Sequence, residues 1–436
     1  MIFILFFMLI LILGVSLALN NDILRPSIGM IFFFIISISA AMLNIRTWHY
    51  EMTFMCFICI FISTIIYSVI DFIVNVIIKN NRKIFKLDLI KISKLKFLIC
   101  VLMMLISSYM YYRDIRYIGA ANGVTGNWHD IINFYRNTSM LGKLDINVSS
   151  LASNMFLFST SLAYFYLYIF VQNLAVNFKY KANYLNLIPL SIFCINSILT
   201  GGRMPIIRLL IGGIFGYLFF YYYSKRKKRF SIKIYLRLII IGVGGLLGFS
   251  AISSLVGRNY NGSILYYITS YLGGSIPLFD LFLEKPVTHL VFGYETFPSV
   301  LSFLKRNFNI LPNVVILVNK EFRSLNGLQI GNVYTALRAY IADFGYVGMV
   351  LLTAIHSLFY SLFYKCIKTK SNFNKKISMK ILIYMYMIHA VYLMSVDDRF
   401  YSDLVSINTL KIIFFFYIIR YYLVSFNYMK KIKFKF

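Results

Sequence analysis

The chain has 436 residues, of which 60% are hydrophobic and 14% charged, and its formal net charge is +29. Soluble domains average about 25% charged residues and are under half apolar, so this composition excludes an ordinary soluble protein. The basic excess does not indicate nucleic-acid binding, because the lysines and arginines cluster beside apolar segments rather than along one face of a folded domain.

Apolar blocks of about 18–25 residues, the length that crosses about 30 Å of hydrocarbon, recur along the chain. They predict an all-α, polytopic integral membrane protein with about eleven transmembrane helices. The first block lacks a basic flank and a cleavage site, so we interpret it as a span rather than a signal peptide. The predicted spans are 2–19, 27–44, 52–78, 97–112, 151–177, 184–201, 204–223, 238–255, 339–364, 381–396 and 405–427.

Four basic segments lie between or after these spans, and this assignment puts all four on the same side of the membrane. They are 79–96, 225–237, 365–380 and 430–435. The positive-inside rule makes that side cytoplasmic and places the C-terminus there. Asp71 lies inside a predicted span, and Asp343 lies at the outer border of another.

Residues 1–436 are expected to form a single transmembrane domain with two long loops on the outer side. The smaller loop is 113–150, and the larger is 256–338. Within the larger loop, 264–283 is apolar enough to lie in the interface or to re-enter the bilayer.

Motifs for nucleotide or metal chemistry are absent from the sequence. It has no Walker loop, no dinucleotide-binding glycine pattern and no His/Cys group at metal-ligand spacing. We therefore expect neither a cofactor nor a metal. The five histidines are scattered and are expected to have structural or interfacial roles; they are His49, His129, His289, His356 and His389.

Arginines at the outer ends of spans are the first candidates for binding a ligand. Thr200-Gly201-Gly202-Arg203 forms a predicted turn before Pro205, and Arg208 follows in the next helix. The glycines permit a sharp turn and the approach of a large anion, and arginine suits bidentate binding of phosphate. Interfacial snorkelling of the two arginines is the alternative. Arg258, which opens the larger loop, is a weaker candidate.

A second candidate group runs from the larger loop into the next span. It contains Asn332, Tyr334, Arg338 and Asp343, followed by Gly345. Helical spacing predicts Tyr334, Arg338 and Gly345 near one stripe, with Asp343 turned away. Ionisable residues at this depth indicate a functional site.

A third group lies in the short outer turn between the last two predicted spans. It consists of Asp397, Asp398 and Arg399, with Asp403 nearby. A local ion pair would explain these residues as well as a functional site would.

Guanidinium groups at the outer leaflet need an anionic ligand. A lipid pyrophosphate presents its charge at that depth while its tail stays in hydrocarbon. The placement of these arginines therefore favours a lipid-pyrophosphate substrate.

On these residues the chain resembles bacterial oligosaccharide repeat-unit polymerases of the Wzy type, which build O-antigens and capsules. The resemblance rests on the T-G-G-R turn at 200–203, the large outer loop, and the N-x-Y-x-x-x-R…D-F-G-x-x-G run from Asn332 to Gly348. Some members carry two motifs of Arg followed by Gly after ten intervening residues. Here Arg203 precedes Gly213, and Arg338 precedes Gly348, with one intervening residue fewer in each case.

The resemblance implies a GT-C-like helical fold in the bacterial inner membrane and action on undecaprenyl-pyrophosphate-linked oligosaccharide at the outer leaflet. It implies no nucleotide sugar and no metal, and it suggests a chain-length regulator and a flippase as partners besides membrane lipids. Related O-antigen ligases carry a His beside the Asn of the corresponding segment, where this chain has Gly331. A ligase-like transferase and a lipid-linked oligosaccharide flippase or transporter are the alternatives.

The expected reaction is glycosyl transfer, in which a sugar hydroxyl of one lipid-linked repeat displaces undecaprenyl pyrophosphate from the growing chain. Asp343, Asp397 and Asp398 are the candidate catalytic bases, in that order. The residues expected to bind pyrophosphate or glycan are Arg203, Arg208, Arg258, Asn332, Tyr334, Arg338 and Arg399.

Overall fold

The computed structural model describes the chain except for 21, 79–86, 141–147, 225–243, 246–247, 249–262, 288, 290, 312–313, 317–318, 371–376 and 426–436. Arg258 and the basic segments 225–237 and 430–435 therefore lie outside the described residues. So does the predicted span 238–255, apart from three glycines, Gly244, Gly245 and Gly248.

The described residues are mostly helical. The helices in chain order are α1 (Ile2–Asn20), α2 (Pro26–Leu43), α3 (Ile45–Trp48), α4 (Phe54–Ile77), α5 (Lys94–Ala121), α6 (Trp128–Met140), α7 (Ser150–Val176), α8 (Leu187–Leu199), α9 (Met204–Ser224), α10 (Ile264–Gly273), α11 (Ser275–Glu284), α12 (Pro298–Phe308), α13 (Ala336–Lys370), α14 (Met379–Met387), α15 (His389–Tyr392) and α16 (Ile407–Arg420). Strands β1 (Arg323–Leu325) and β2 (Leu328–Gly331) pair antiparallel, with Leu325 opposite Leu328. A 3₁₀ turn (Lys181–Asn186) precedes α8, and π turns occupy Phe400–Leu404 and Tyr421–Ser425.

Eight helices in the described part of the chain are long and apolar enough to cross a membrane. They are α1, α2, α4, α5, α7, the 3₁₀ turn continued by α8, α9 and α13. Met379–Tyr392 is a shorter apolar helical stretch. The expected class, a helical multi-pass membrane protein, is confirmed, while the count of eleven spans stays a prediction.

Local sequence explains where several of these helices begin. Pro26 occupies the first turn of α2, where a missing N–H costs nothing. Thr53, Ser149 and Ser263 cap α4, α7 and α10, and each side-chain oxygen accepts a backbone N–H of the first turn.

The chain folds into two compact units that alternate along the sequence. The first unit comprises Met1–Arg82, Tyr260–Thr369 and Met387–Ile407, and the second comprises Lys83–Asn259, Lys370–Tyr386 and Asn408–Phe436. In the second unit α7 is largely buried and packs against α5, α8 and α9. Gly212 allows α9 to approach α14 closely, because a Cβ on this residue would lie 2.5 Å from the carbonyl oxygen of Met385.

In the first unit α1, α2 and α4 pack together, and α10 and α11 of the larger loop pack against α2. A Cβ on Gly273 would lie 2.3 Å from the backbone nitrogen of Ala41, so the end of α10 touches the α2 backbone. The described part of the larger loop, predicted at 256–338, contains three helices, the hairpin and the first turn of α13. In the second unit α5 continues to Ala121, nine residues past its predicted end, and α6 lies within the smaller loop.

A break in α13 corrects one expectation about helical spacing. Gly345 has φ 68° and ψ −170° inside the helix, a conformation that favours glycine. Tyr334 precedes the helix, which begins at Ala336. Tyr334, Arg338 and Gly345 therefore do not form one helical stripe. The Tyr334 ring and the Arg338 guanidinium are nevertheless in contact.

Candidate functional site

Arg338 lies in the first turn of α13 and is held between two carboxylates. Its side chain is 1% exposed. Nε and Nη2 donate to Glu295 at 3.1 and 2.8 Å, and Nη2 also donates to Glu321 at 2.5 Å. The guanidinium carbon lies 3.9 Å from the ring centroid of Tyr334, which adds a cation–π contact. Arg338 is thus neutralised by residues of its own chain.

Asp343 fixes the loop that carries Glu295. Its carboxylate accepts the backbone N–H of Glu295 at 3.0 Å and that of Thr296 at 2.6 Å. The Thr296 hydroxyl donates to the carbonyl of Ala339 at 3.1 Å, which ties the same loop to α13 a second time. The geometry gives Asp343 a positioning role, and its role as a base stays a prediction.

Glu295 also contacts His289, whose Nε2 lies 3.0 Å from the Glu295 carboxylate. Burial by itself raises the pKa of Glu295, but the His289 hydrogen bond and the charges of Lys320 and Arg338 lower it to about 2. Glu295 is therefore ionised at any physiological pH.

Glu321 is presented by the segment that leads into the hairpin. The Tyr334 hydroxyl donates to the Glu321 carbonyl at 3.1 Å, and the Asn332 amide donates to the Lys320 carbonyl at 3.4 Å. Burial raises the pKa of Tyr334 to about 12, so the phenol keeps its proton as a donor. These two predicted binding residues position the Lys320–Glu321 segment.

Arg323 holds the other side of Glu321, with Nε 2.9 Å from the carboxylate. The same guanidinium donates to the carbonyls of Leu281 and Lys285 at the C-terminal end of α11, where a cation is favoured. Asn326 and Gly327, both at positive φ, form the hairpin turn. The sequence Leu-Asn-Gly-Leu is the signal that could have revealed this hairpin.

The third predicted group joins this network through Lys320. Its Nζ lies 3.5 Å from Asp397, and Asp397 in turn lies 2.7 Å from Arg399. Arg399 also lies 3.6 Å from Asp403, so the local ion pair is confirmed.

Asp398 caps the π turn that follows it. Its carboxylate accepts the backbone N–H groups of Phe400, Tyr401 and Ser402 and the Tyr340 hydroxyl, at 3.1–3.3 Å. Burial raises the pKa of Asp398 to about 7, against the opposing effects of Lys320 and of these backbone donors. The role of Asp398 as a base stays a prediction.

We call this charged network the rim cluster, because its outer members are partly exposed. Their exposure runs from 14% for Lys320 to 37% for Glu321. Its members are His289, Glu295, Lys320, Glu321, Arg323, Arg338, Asp397 and Arg399. The predicted residues Asn332, Tyr334 and Asp343 hydrogen-bond to its members, and Asp398 lies in sequence between its members Asp397 and Arg399.

The T-G-G-R turn belongs to the second unit. Gly201 has φ 71°, and a Cβ there would lie 2.7 Å from Cβ of Arg136 in α6. The Arg203 carbonyl accepts the N–H groups of Ile206 and Ile207, which starts α9, and the Arg203 side chain is buried. Arg208 lies one turn further along α9. The turn predicted from its glycines is present, and the ligand roles of Arg203 and Arg208 stay predictions.

The first unit contains a second charged group, which we call the buried cluster. The Arg25 guanidinium donates to the Asp71 carboxylate at 2.6 and 3.1 Å, and both side chains are 0% exposed. Lys368 lies 2.5 Å from Asp22, and the Lys365 amine donates to Asn75. The buried cluster comprises Asp22, Arg25, Asp71, Lys365 and Lys368, on α4, α13 and the turn before α2.

Several of these residues were missed by sequence reasoning. Glu295 and Glu321 are acids of the larger loop that lie 43 and 17 residues from Arg338, and no spacing rule connects them to it. His289 was grouped with the other scattered histidines. Arg25 had no partner assigned, although Asp71 inside a span required one.

Among the described residues, no group of three or more His, Cys, Asp or Glu side chains is arranged to hold a metal ion. Comparison with protein-family models, with curated proteins and with solved structures found no match to this chain.

Proposed function

We propose that this chain is a membrane glycosyltransferase that polymerises undecaprenyl-pyrophosphate-linked oligosaccharide repeat units into O-antigen or capsular polysaccharide. The observation that carries the proposal is the rim cluster, which surrounds an arginine where the larger loop meets a membrane-crossing helix. A ligand at this boundary can hold its charged group on the rim cluster while its lipid tail lies in hydrocarbon. A lipid pyrophosphate has that form.

Two cationic groups of the rim cluster retain capacity for the pyrophosphate. Within the described part of the chain, Nη1 of Arg338 and Nζ of Lys320 are buried and have no hydrogen-bond partner, and Nζ of Lys320 has only the 3.5 Å ion pair with Asp397. Glu295 is buried and serves as the permanent partner of Arg338, whereas Glu321 is 37% exposed. We expect a substrate phosphate to displace Glu321 and to take its place on Arg338.

The chemistry needs stabilisation of charge more than acid catalysis, because pyrophosphate is already a good leaving group. A preorganised donor at developing charge contributes about 3–4 kcal/mol when its deletion is measured. Arg338 and Lys320 would supply this stabilisation. Arg399 would support it by holding Asp397 against Lys320.

The proposal retains Arg203 and Arg208 as binding residues for pyrophosphate or glycan, and Arg258 as a supporting one. It also retains the inner membrane as the location, with the reaction at the outer leaflet and the C-terminus in the cytoplasm. The charge asymmetry of the loops supports this orientation.

A second candidate function is a lipid-linked oligosaccharide flippase. The break in α13 at Gly345 favours it, since discontinuous helices are typical of transporters. The long loop with its charged site favours the enzyme instead. A ligase-like transferase would use the same rim cluster with a different acceptor.

A deletion of the gene in its host separates these functions. Loss of a polymerase leaves single repeat units capped onto the acceptor on a surface-polysaccharide gel, whereas loss of a flippase leaves none. Complementation with Arg338→Gln is expected to leave single units, because the rim cluster then lacks its central cation. Arg306→Gln, an exposed arginine on α12 of the same loop, is the matched control and should restore the full ladder. A full ladder with Arg338→Gln at normal expression would overturn the site assignment.

A further inference from the structure

His289 occupies a position in the rim cluster that is unlike that of the other charged residues. Nε2 lies 3.0 Å from a carboxylate oxygen of Glu295, and the ring stacks on Tyr294 with centroids 4.3 Å apart. The side chain is 19% exposed, so a substrate group can reach it. Glu295 is itself fixed on its other side by the two hydrogen bonds from Arg338.

This arrangement sets the tautomer of the imidazole. An ionised carboxylate only accepts hydrogen bonds, so Nε2 of His289 carries the hydrogen that points to Glu295. In the neutral imidazole the lone pair then lies on Nδ1. Among the described residues, Nδ1 has no hydrogen-bond partner. A histidine oriented by a carboxylate, with its other nitrogen open, is the arrangement of a general base.

The other candidate bases are engaged differently. Asp343 and Asp398 accept backbone N–H groups that hold the loop and the π turn. Asp397 is paired with Lys320 and Arg399. His289 differs from these acids, because its Nδ1 can accept a proton without breaking a hydrogen bond that holds the structure.

We propose that His289 is the general base that takes the proton from the acceptor sugar hydroxyl, with Glu295 as its positioning residue. The inference rests on the proposed function. The hydroxyl proton passes to Nδ1 as the oxygen forms its bond to the anomeric carbon of the growing chain. The anomeric carbon–oxygen bond to pyrophosphate breaks, and undecaprenyl pyrophosphate leaves with the electron pair. Glu295 stabilises the imidazolium that forms.

The test uses the purified full-length protein in detergent with a lipid-linked repeat unit, and it measures the rate of polymer formation, KM and the thermal midpoint. His289→Gln is expected to lower kcat about 10²- to 10⁴-fold, the usual contribution of a general base, with KM and the midpoint little changed. His289→Ala should recover activity when imidazole is added. The matched control is His49→Gln, an exposed histidine of the same unit, which should keep the wild-type rate.

The outcomes distinguish the two proposals. If the wild-type protein forms polymer and His289→Gln forms it at a similar rate, His289 is not the base, and the polymerase proposal stands. A loss of activity that follows a lowered thermal midpoint, without rescue by imidazole, would also overturn the role of His289. A wild-type protein that forms no polymer would overturn the proposed function, and this role with it.

Discussion

Arg25 and Arg338 make closely similar primary contacts. Each guanidinium is buried, and each donates two hydrogen bonds to one buried carboxylate, Asp71 or Glu295. The residues around the two ion pairs differ in their exposure to solvent. Around Arg25 the members of the buried cluster are at most 7% exposed, whereas Arg338 also contacts Glu321, which is 37% exposed.

This difference in exposure supports the proposal that Arg25 is structural and that Arg338 binds a ligand. A closed ion pair in a low-dielectric interior can only be formed or broken, so it holds helices together. An ion pair with one partner near solvent can exchange that partner for a ligand at moderate cost. Charge in a membrane helix therefore indicates a ligand site only where one of its partners can be displaced.

The largest expected effect tests whether the buried cluster is only structural. Asp71→Leu alone leaves Arg25 buried without its carboxylate, and it should lower the free energy of unfolding by about 3–5 kcal/mol. Arg25→Met combined with Asp71→Leu should recover part of that loss, because an apolar pair replaces the ion pair, while the buried Ser27 loses the carboxylate that accepts its N–H and hydroxyl. Thermal unfolding in detergent measures both variants.

The same comparison extends to activity. The Arg25→Met/Asp71→Leu double variant should polymerise normally once it is stable. If it folds and is inactive, the buried cluster has a function beyond holding α2 to α4.

The second expected effect concerns the pH dependence of the rim cluster. The pKa of Glu295 is about 2 in the folded protein and about 4.3 in an unfolded chain. Because the folded pKa is the lower one, the contribution of Glu295 to stability is fully present above about pH 5 and is lost as the pH falls toward 2. The shift corresponds to about 3 kcal/mol, of which more than half is lost by about pH 3.

The gap in thermal midpoint between the wild-type protein and Glu295→Gln should therefore narrow between pH 6 and pH 3. Glu284→Gln, an exposed acid of the same loop, should show no such change. A difference in thermal midpoint that stays constant with pH would show that the charge of Glu295 does not contribute to the stability of the protein.

Part of this architecture was accessible from the sequence. Length and apolarity identify the membrane-crossing helices because an apolar segment of that size has few alternatives. The glycines at 201 and 202 indicated the turn that the structure contains. The Asp397–Arg399 pair was also foreseeable, because its partners lie two residues apart.

The rest depended on contacts between distant segments. Nothing local connects Glu295 to Arg338, or Arg25 to Asp71, since the partners in each pair lie more than 40 residues apart. The break at Gly345 was hidden for another reason. A glycine within an apolar helix is common, and its positive φ follows from packing rather than from sequence.

The smallest expected effect bears most directly on exchange of partners at Arg338. Glu321→Gln removes the carboxylate that competes with a substrate phosphate for Nη2 of Arg338, while Glu295 stays in place. Because Glu321 is partly exposed, its contact with Arg338 contributes little to stability, and the thermal midpoint should change only slightly. The affinity for the lipid-linked pyrophosphate should rise about threefold to tenfold, which is about 0.7–1.4 kcal/mol.

Glu284→Gln again supplies the control, since it removes one negative charge from the same loop without touching Arg338. Equal gains in affinity for both variants would mean that the effect is one of general charge. A weaker affinity with Glu321→Gln would mean that this carboxylate contacts the substrate itself, and that Arg338 keeps both of its carboxylates when the substrate binds.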